Sequence, residues 1–100
     1  MIGMLRIKMR FIDYKLFHYC RKGTLNDVKR VLSKRANINV KNDVNETPLH
    51  YACYYNNFDI VKYLVENDAN INTKDNNNNK PINNTSSAEI ITFLKSNLFT

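Results

Sequence analysis

Apolar residues recur at helical spacing in the middle of the chain. Leu49, Ala52 and Cys53 are separated by three and then one position, so they would share one face of a helix. Thr47 suits the N-cap of that helix, and Pro48 suits its first position, where no backbone N–H is needed. The pattern therefore predicts a short helix that begins at Pro48.

A second helix follows directly. The Asn56-Asn57 pair is predicted to end the first helix, and Asp59 to begin the next. The segment Asp68-Ala69-Asn70 ends this second helix, and an Asn-rich loop comes after it. The apolar face of the second helix is predicted to contain Ile60, Val61, Leu64 and Val65.

The same pattern returns with a period of 33 residues. LFHYCRKGTLNDVKRVLSKRANINVKN (16–42) aligns without a gap with LHYACYYNNFDIVKYLVENDANINTKD (49–75). Nine of the 27 aligned positions are identical, including the two cysteines. A conserved offset of this length indicates a repeated structural unit.

A third copy is shorter. DNNNNKPI (75–82) aligns with NDVNETPL (42–49) at the same offset of 33, but EIITFLKSN (89–97) aligns with DIVKYLVEN (59–67) at an offset of 30. Three residues are therefore missing before the last helix. The first helix of this third unit is predicted to be weak or truncated.

Repetition at this period predicts an all-α solenoid of three helix-turn-helix units, with loops rather than a sheet between them. Helices of about eight residues are unstable alone, so neighbouring units must stack to bury their apolar faces. We divide the chain into a basic N-terminal segment (1–9), a degenerate first unit (10–41), a complete second unit (42–74) and a truncated third unit (75–97).

The second unit contains TPLHYAC, then DIVKYLVEN, then ANIN, and it resembles the ankyrin repeat. The resemblance is strong over 42–74 and partial over 75–97. In the first unit it covers the second helix and the tail, because that unit lacks Thr-Pro-Leu-His. The resemblance implies that Thr47, Pro48 and His50 are structural, with His50 hydrogen-bonded to Thr47 and to backbone near the neighbouring unit.

The resemblance also implies a partner-binding surface on the concave side of the stack. In the second unit the family's binding positions correspond to Asp43, Val44, Glu46, Tyr51, Tyr54 and Tyr55. The first unit offers Arg10, Phe11, His18, Arg21 and Lys22 in the matching positions, so the surface would be aromatic beside basic. Tyr is large, has few rotatable bonds and is enriched at binding hot spots. The structural alternative is that one or both of Tyr54 and Tyr55 pack against the neighbouring helix.

Several turn positions depart from the family pattern. Arg35 and Asp68 stand where the family usually has a Gly in the left-handed conformation, which costs a non-Gly residue roughly 1 kcal/mol. Asn45 and Asn78 replace a loop Gly, and Asn tolerates that conformation better than most residues. The Gly between the two helices is kept in the first unit and replaced by Asn in the second.

Charge is distributed unevenly along the chain. Residues 1–50 contain 11 Lys/Arg and 4 Asp/Glu, a net charge of +7, whereas residues 51–100 contain 4 and 5, a net charge of −1. A basic half can attract nucleic acid or anionic lipid, although a solvated basic face is the simpler interpretation. The 17 Asn residues indicate a chain rich in turns.

Cys20 and Cys53 are too few for a disulfide scaffold. They occupy equivalent positions of helices expected about 8–10 Å apart, beyond the roughly 7 Å that a disulfide can span, so we predict two separate buried thiols. Arg6, Lys8 and Arg10 interrupt any signal-peptide core, and no apolar run approaches the roughly 18 residues of a membrane span. We expect a cytoplasmic, reducing compartment, with delivery into a host cell left open.

Catalytic, cofactor and metal motifs are lacking. No Ser, Cys or carboxylate lies in a motif with a base and an orienting partner, and two glycines are too few for a phosphate-binding loop. Two His and two Cys are the raw material of a zinc site, but the Cys-x-x-Cys and His-x₃₋₅-His spacings are absent. We therefore predict a non-enzymatic protein with no cofactor and no bound metal.

The function that these observations favour is an interaction module that binds a partner protein on its concave face. The first alternative is binding of nucleic acid or acidic membrane through the basic N-terminal half, with an affinity that falls steeply with salt. The second is a decayed fragment of a longer repeat protein, which would melt without cooperativity. The identity of the partner, the organism and the oligomeric state are not encoded in any motif.

The N-terminal stretch LRIKMRFI (5–12) alternates apolar and charged residues. This alternation is a weak strand signal, or else the remnant of a unit's tail and loop. Met1, Met4 and Met9 are each a candidate start of the chain.

Overall fold

Three helix-turn-helix units lie side by side. The computed structural model describes residues 9–98, and no strand occurs among them. The prediction of an all-α solenoid is confirmed. The elements in chain order are α1 (Phe11–Lys22), α2 (Leu25–Ser33), α3 (Pro48–Tyr54), α4 (Phe58–Glu66), a 3₁₀ helix (Pro81–Asn84) and α5 (Ala88–Ser96).

One apolar seam runs through all three units. Residues separated by the repeat period share the same surroundings: Cys20 and Cys53 are both fully buried, as are Val28 and Val61. In the third unit Ile90 is likewise fully buried, at the position of Ile60. The stacking that the repeat period implies is therefore present. The seam includes Leu16, Cys20, Val28, Val31, Leu49, Ala52, Cys53, Ile60, Val61, Leu64, Ile90 and Leu94.

The N-terminal end of α1 differs from expectation. Phe11 and Ile12 form the first turn of this helix, so the strand interpretation of LRIKMRFI is wrong for these two residues; residues 5–8 lie outside the described part. Asp13 explains the early start. Its buried carboxylate accepts hydrogen bonds from the backbone N–H of Arg10 (3.3 Å) and of Asn37 (2.7 Å). The carboxylate thus satisfies an orphan donor at the helix start and fastens α1 to the loop after α2.

The helix α4 also begins one residue earlier than predicted. Asn57 is its N-cap residue and Phe58 its first residue, so the prediction that Asp59 begins the helix is wrong. Asp59 lies in the first turn, where its carboxylate accepts a hydrogen bond from the backbone N–H of Ile60 at 2.8 Å. A negative charge near the positive end of the helix dipole is favourable there.

The truncated first helix of the third unit is confirmed. It is a 3₁₀ helix of four residues, Pro81–Asn84, in the place of the seven-residue α3. Pro81 is buried and presets the backbone for a helical turn, but Thr85 already has extended dihedral angles. Because the chain is three residues short here, it must leave the turn at once to reach α5.

Asparagine and aspartate side chains build the loops between units. The carboxamide oxygen of Asn42 accepts hydrogen bonds from the backbone N–H of Val44 (3.0 Å) and Glu46 (2.9 Å). At the equivalent place in the third unit, the carboxylate of Asp75 accepts from Asn77 (2.8 Å) and Asn79 (2.9 Å). Both are Asx-type turns, in which a short polar side chain replaces a backbone partner.

Hydrogen bonds also join these loops to each other. The backbone N–H of Asn76 donates to the carbonyl of Val44 at 3.0 Å, and the Asn45 carboxamide donates to the Asn76 side chain at 2.7 Å. Farther along, the backbone N–H of Asn70 donates to the side chain of Asn39 at 2.9 Å. The polar loops therefore align neighbouring units as the apolar seam does.

The left-handed residues lie at the expected positions. Arg35 and Asp68 both have φ of 71°, and the loop residues Asn45 and Asn78 have φ of 63° and 65°. Gly23 and Asn56, again 33 residues apart, complete the set with φ of 90° and 57°. The expectation that Arg35 and Asp68 occupy a conformation that suits Gly is confirmed.

His50 joins the second unit to the third. Its ring is fully buried, and Nδ1 accepts a hydrogen bond from the backbone N–H of Thr47 at 3.0 Å. Nδ1 is also 2.9 Å from the Thr47 hydroxyl, while the backbone N–H of His50 donates to that hydroxyl at 3.3 Å. Nε2 lies 2.8 Å from the carbonyl oxygen of Asn79. Because a carbonyl only accepts, these partners place the proton on Nε2.

Replacing Arg35 or Asp68 by Gly is expected to raise the melting temperature. Each change removes a left-handed cost of roughly 1 kcal/mol, partly offset by the entropy of Gly in the unfolded chain, so a rise of a few degrees should appear in a circular-dichroism melt. Glu66→Gly is the matched control: it lies inside α4, and it should lower stability by about 1 kcal/mol. Two Gly variants that both melt lower than the parent would contradict the assigned conformation.

Replacing His50 by Phe is expected to lower the free energy of unfolding by about 3 kcal/mol. The ring should fit, because Phe17 occupies the equivalent position of the first unit. However, the Asn79 carbonyl and the Thr47 backbone N–H would lose their buried partner. Urea unfolding followed at 222 nm measures the change. His18→Phe, at an exposed position of α1, should stay within about 0.5 kcal/mol of the parent; equal effects of the two variants would show that the His50 contacts contribute nothing.

Candidate functional site

Helix α3 carries three tyrosines with graded exposure. Thr47 caps the helix and Pro48 is its first residue, which directs the apolar face into the seam. Tyr51 is half-buried, and its ring meets the Phe17 ring of α1 at 4.8 Å in an edge arrangement. Tyr54 and Tyr55, at the end of the helix, are 64% and 44% exposed.

These tyrosine rings form one continuous surface. The centroids of Tyr54 and Tyr55 are 5.0 Å apart at nearly perpendicular planes, and those of Tyr51 and Tyr55 are 6.3 Å apart. Edge contacts of this kind hold the rings against each other without burying them. The structural alternative, packing against the neighbouring helix, therefore describes Tyr51, which contacts Phe17, better than it describes Tyr54, which is mostly exposed.

The tyrosines border a cleft, called here the tyrosine cleft. It has a volume of about 140 Å³ and is lined by Glu46, His50, Tyr51, Tyr54 and Tyr55. Glu46 lies at the entrance to α3, and its carboxylate accepts a hydrogen bond from the Asn42 carboxamide at 2.8 Å. The cleft thus has an acidic group at the start of α3 and exposed aromatic rings at its end.

Two of the predicted partner-binding residues lie in a different cleft. Asp43 and Val44, together with Met9, Tyr14 and Asn42, line what we call the loop cleft, with a volume of about 190 Å³. Asp43 and Val44 are both exposed. The six predicted positions of the second unit therefore divide between the two clefts, four in the tyrosine cleft and two in the loop cleft.

Sequence reasoning missed two residues of the loop cleft, Met9 and Tyr14. Tyr14 is 57% exposed and lies 33 residues before Thr47. A large aromatic residue in place of a small buried cap residue was the signal that could have identified it. Met9 carried no such signal, since it precedes the part of the first unit that aligns with the second.

The basic positions of the first unit are not equivalent to one another. Arg10 is engaged: its guanidinium pairs with Asp13 at 3.4 Å and donates to the carbonyl oxygen of Arg35. Phe11 is exposed beneath the Lys15 ammonium, 5.0 Å from its ring centroid. Arg21, Lys22 and His18 lie exposed along α1 beside the tyrosine-bearing helix.

The two cysteines are buried free thiols, as predicted. Burial raises the pKa of Cys53 to about 12, and it raises the pKa of Cys20 as well. Both thiols therefore remain protonated at neutral pH and act as small apolar residues, since the thiolate is the reactive form.

Metal-binding and membrane-spanning features were sought within residues 9–98. In this range no three His, Cys, Asp or Glu side chains are grouped so that they could hold a metal ion. The same range contains no helix with the length and apolar character needed to cross a membrane.

Comparison with protein-family models agrees with the repeated geometry. The model described as ankyrin repeats matches residues 16–97 in three copies, whereas a comparison with curated proteins gave no match. Ankyrin repeats are generally protein–protein interaction modules and are typically non-enzymatic. With three stacked helix-turn-helix units, a buried Thr-Pro-Leu-His motif and a family match over most of its length, this chain belongs to the ankyrin repeat family.

Proposed function

We propose that this chain is a non-enzymatic module that holds a protein partner against the tyrosine cleft and the adjoining face of α1. The observation that carries the proposal is the exposed pair Tyr54 and Tyr55, held ring to ring at the rim of the cleft. Exposed Tyr supplies a large contact area at a small cost in side-chain entropy, which is the property of a binding anchor. His50 beneath it keeps the cleft floor tied to the next unit.

The proposed contact set extends beyond the tyrosines. It keeps the predicted residues Glu46, Tyr51, Tyr54 and Tyr55 with Arg21 and Lys22 as one surface. Asp43 and Val44 would take part only if the partner is large enough to reach the loop cleft as well. A cytoplasmic location suits this proposal, because both thiols are buried and unpaired.

Binding of nucleic acid or acidic membrane is the competing function. It would use the exposed Lys29, Lys34 and Arg35 on and after α2, rather than the tyrosines. Such binding should weaken steeply as salt is raised, whereas an interface centred on Tyr should be less sensitive. The two functions are therefore separable by repeating one binding assay at two salt concentrations.

Replacing Tyr54 and Tyr55 together by Ala is expected to reduce capture of a specific protein partner by at least about tenfold. A pull-down from cell extract, quantified by mass spectrometry against the unchanged chain, measures the loss. Both side chains are largely exposed, so the melting temperature should hardly change.

Two further variants make this experiment specific. Leu98→Ala removes another exposed apolar side chain, after α5, and should leave capture unchanged. Asp43→Ala/Val44→Ala reports whether the loop cleft belongs to the same interface. Capture that survives the Tyr54→Ala/Tyr55→Ala change would exclude the tyrosine cleft as the binding surface.

A further inference from the structure

Arg21 and Tyr55 lie next to each other on neighbouring helices. Phe17 of α1 and Tyr51 of α3 are in ring contact at 4.8 Å. Arg21 is four residues after Phe17, and Tyr55 is four residues after Tyr51. Residues four apart share a helix face, so one turn beyond the ring contact the guanidinium faces the tyrosine pair.

The backbone at Arg21 is held in place by the second unit. The carboxamide of Asn57 donates to the carbonyl oxygen of Cys20 at 2.8 Å and to that of Arg21 at 3.4 Å. The turn between α3 and α4 is thus fastened to the C-terminal end of α1. Arg21 therefore extends from a fixed base, and only its side chain needs to be ordered by a partner.

Arg21 is also the cation on this face that has no counter-charge. Within residues 9–98 its side chain forms no ion pair and no hydrogen bond, whereas Arg10 holds Asp13 and Arg30 holds Asp27. Its neighbour Lys22 is partly satisfied: the hydrogen bond from Arg30 lowers the pKa of Asp27, and the charge of Lys22 lowers it further. The acidic group of the tyrosine cleft, Glu46, lies at the opposite end of α3, bound to Asn42.

We propose that the partner of this surface is an acidic peptide segment: an Asp or Glu side chain of the partner pairs with Arg21, and an adjacent or next-but-one apolar side chain packs on Tyr54 and Tyr55. The inference rests on the proposed function and specifies the chemistry of its partner. A guanidinium favours carboxylates because two parallel N–H donors match two oxygens. In an extended segment, alternate side chains lie on one face about 7 Å apart, which suits an acid and an apolar group side by side.

A purely structural role for Arg21 is the competing explanation. Arg21 and Lys22 lie in the last turn of α1, where cations stabilise the negative end of the helix dipole. That role predicts a small change in stability on substitution and no dependence on the charge of any bound peptide. A charge-exchange experiment separates the two explanations.

The experiment begins with random twelve-residue peptides displayed on phage and selected against the full chain. The best peptide is synthesised with a fluorescent label, and its Kd is measured by anisotropy at 50 and 300 mM NaCl. We expect the enriched peptides to share an Asp or Glu beside an aromatic or aliphatic residue. Arg21→Glu should weaken binding by about tenfold or more, and a peptide with Lys in place of its acidic residue should restore binding to Arg21→Glu.

Matched variants keep the outcome interpretable. Lys62→Glu makes the same charge change at an exposed position of α4 and should alter Kd by less than about twofold. Arg21→Gln removes the charge without reversing it and should have an intermediate effect. Circular dichroism of each variant shows whether the fold is retained.

The possible results distinguish this inference from the function on which it rests. Selected peptides without an acidic residue, or an unchanged Kd for Arg21→Glu while Tyr54→Ala/Tyr55→Ala abolishes binding, would overturn the acidic segment and leave the proposed function standing. A failure to enrich any peptide would likewise overturn it. Peptide binding that is unaffected by the tyrosine changes would contradict the proposed function itself.

Discussion

The structure depends on the burial of one apolar seam that no unit can complete alone. A pair of helices of seven to nine residues, such as α3 and α4, covers only one side of its apolar face. Val61 and Ile60 reach full burial because another unit lies on each side of them. Fully burying a side chain of this size contributes about 1.5–3 kcal/mol, so the contacts between units, not the helices themselves, supply most of the stability.

Polar side chains determine how the units align over that seam. Asn57 donates to the backbone of α1, Asn56 accepts from the Thr85 hydroxyl at 2.6 Å, and His50 reaches Asn79. Each of these bonds crosses from one unit to the next. Apolar contact tolerates sliding, whereas a hydrogen bond between two specific groups does not. The numerous Asn residues thus have two roles: they adopt the left-handed turns, and they lock the units in position.

The sequence predicts the repeat more completely than the site. Paired positions such as Val28 and Val61 identify the seam because burial leaves a periodic apolar signal. Turn residues at Arg35 and Asp68 were also predictable, since only a few places in such a unit require a positive φ. The division of the site into two clefts was not predictable.

That division arises from contacts that have no period. The loop cleft forms where Tyr14 replaces a buried capping residue and where α1 begins early. Asp13 causes the early start through its bond to Asn37, a contact between distant parts of the chain. The difference between Arg10, which is engaged, and Arg21, which is not, likewise depends on which side chains meet in space. A pattern in one dimension records what is repeated, and the site is built from the exceptions.

The short 3₁₀ helix gives the module an uneven response to thermal opening. The third unit replaces a full helix by one turn and leans on the second unit through Asn79, Thr85 and the edge contact of Phe93 with Phe58 at 5.6 Å. It should therefore detach at a lower free energy than the rest. Because His50 both lines the tyrosine cleft and binds Asn79, detachment would also loosen the cleft floor. Occupancy of the cleft and order in the last unit are then thermodynamically linked, so whatever stabilises one stabilises the other.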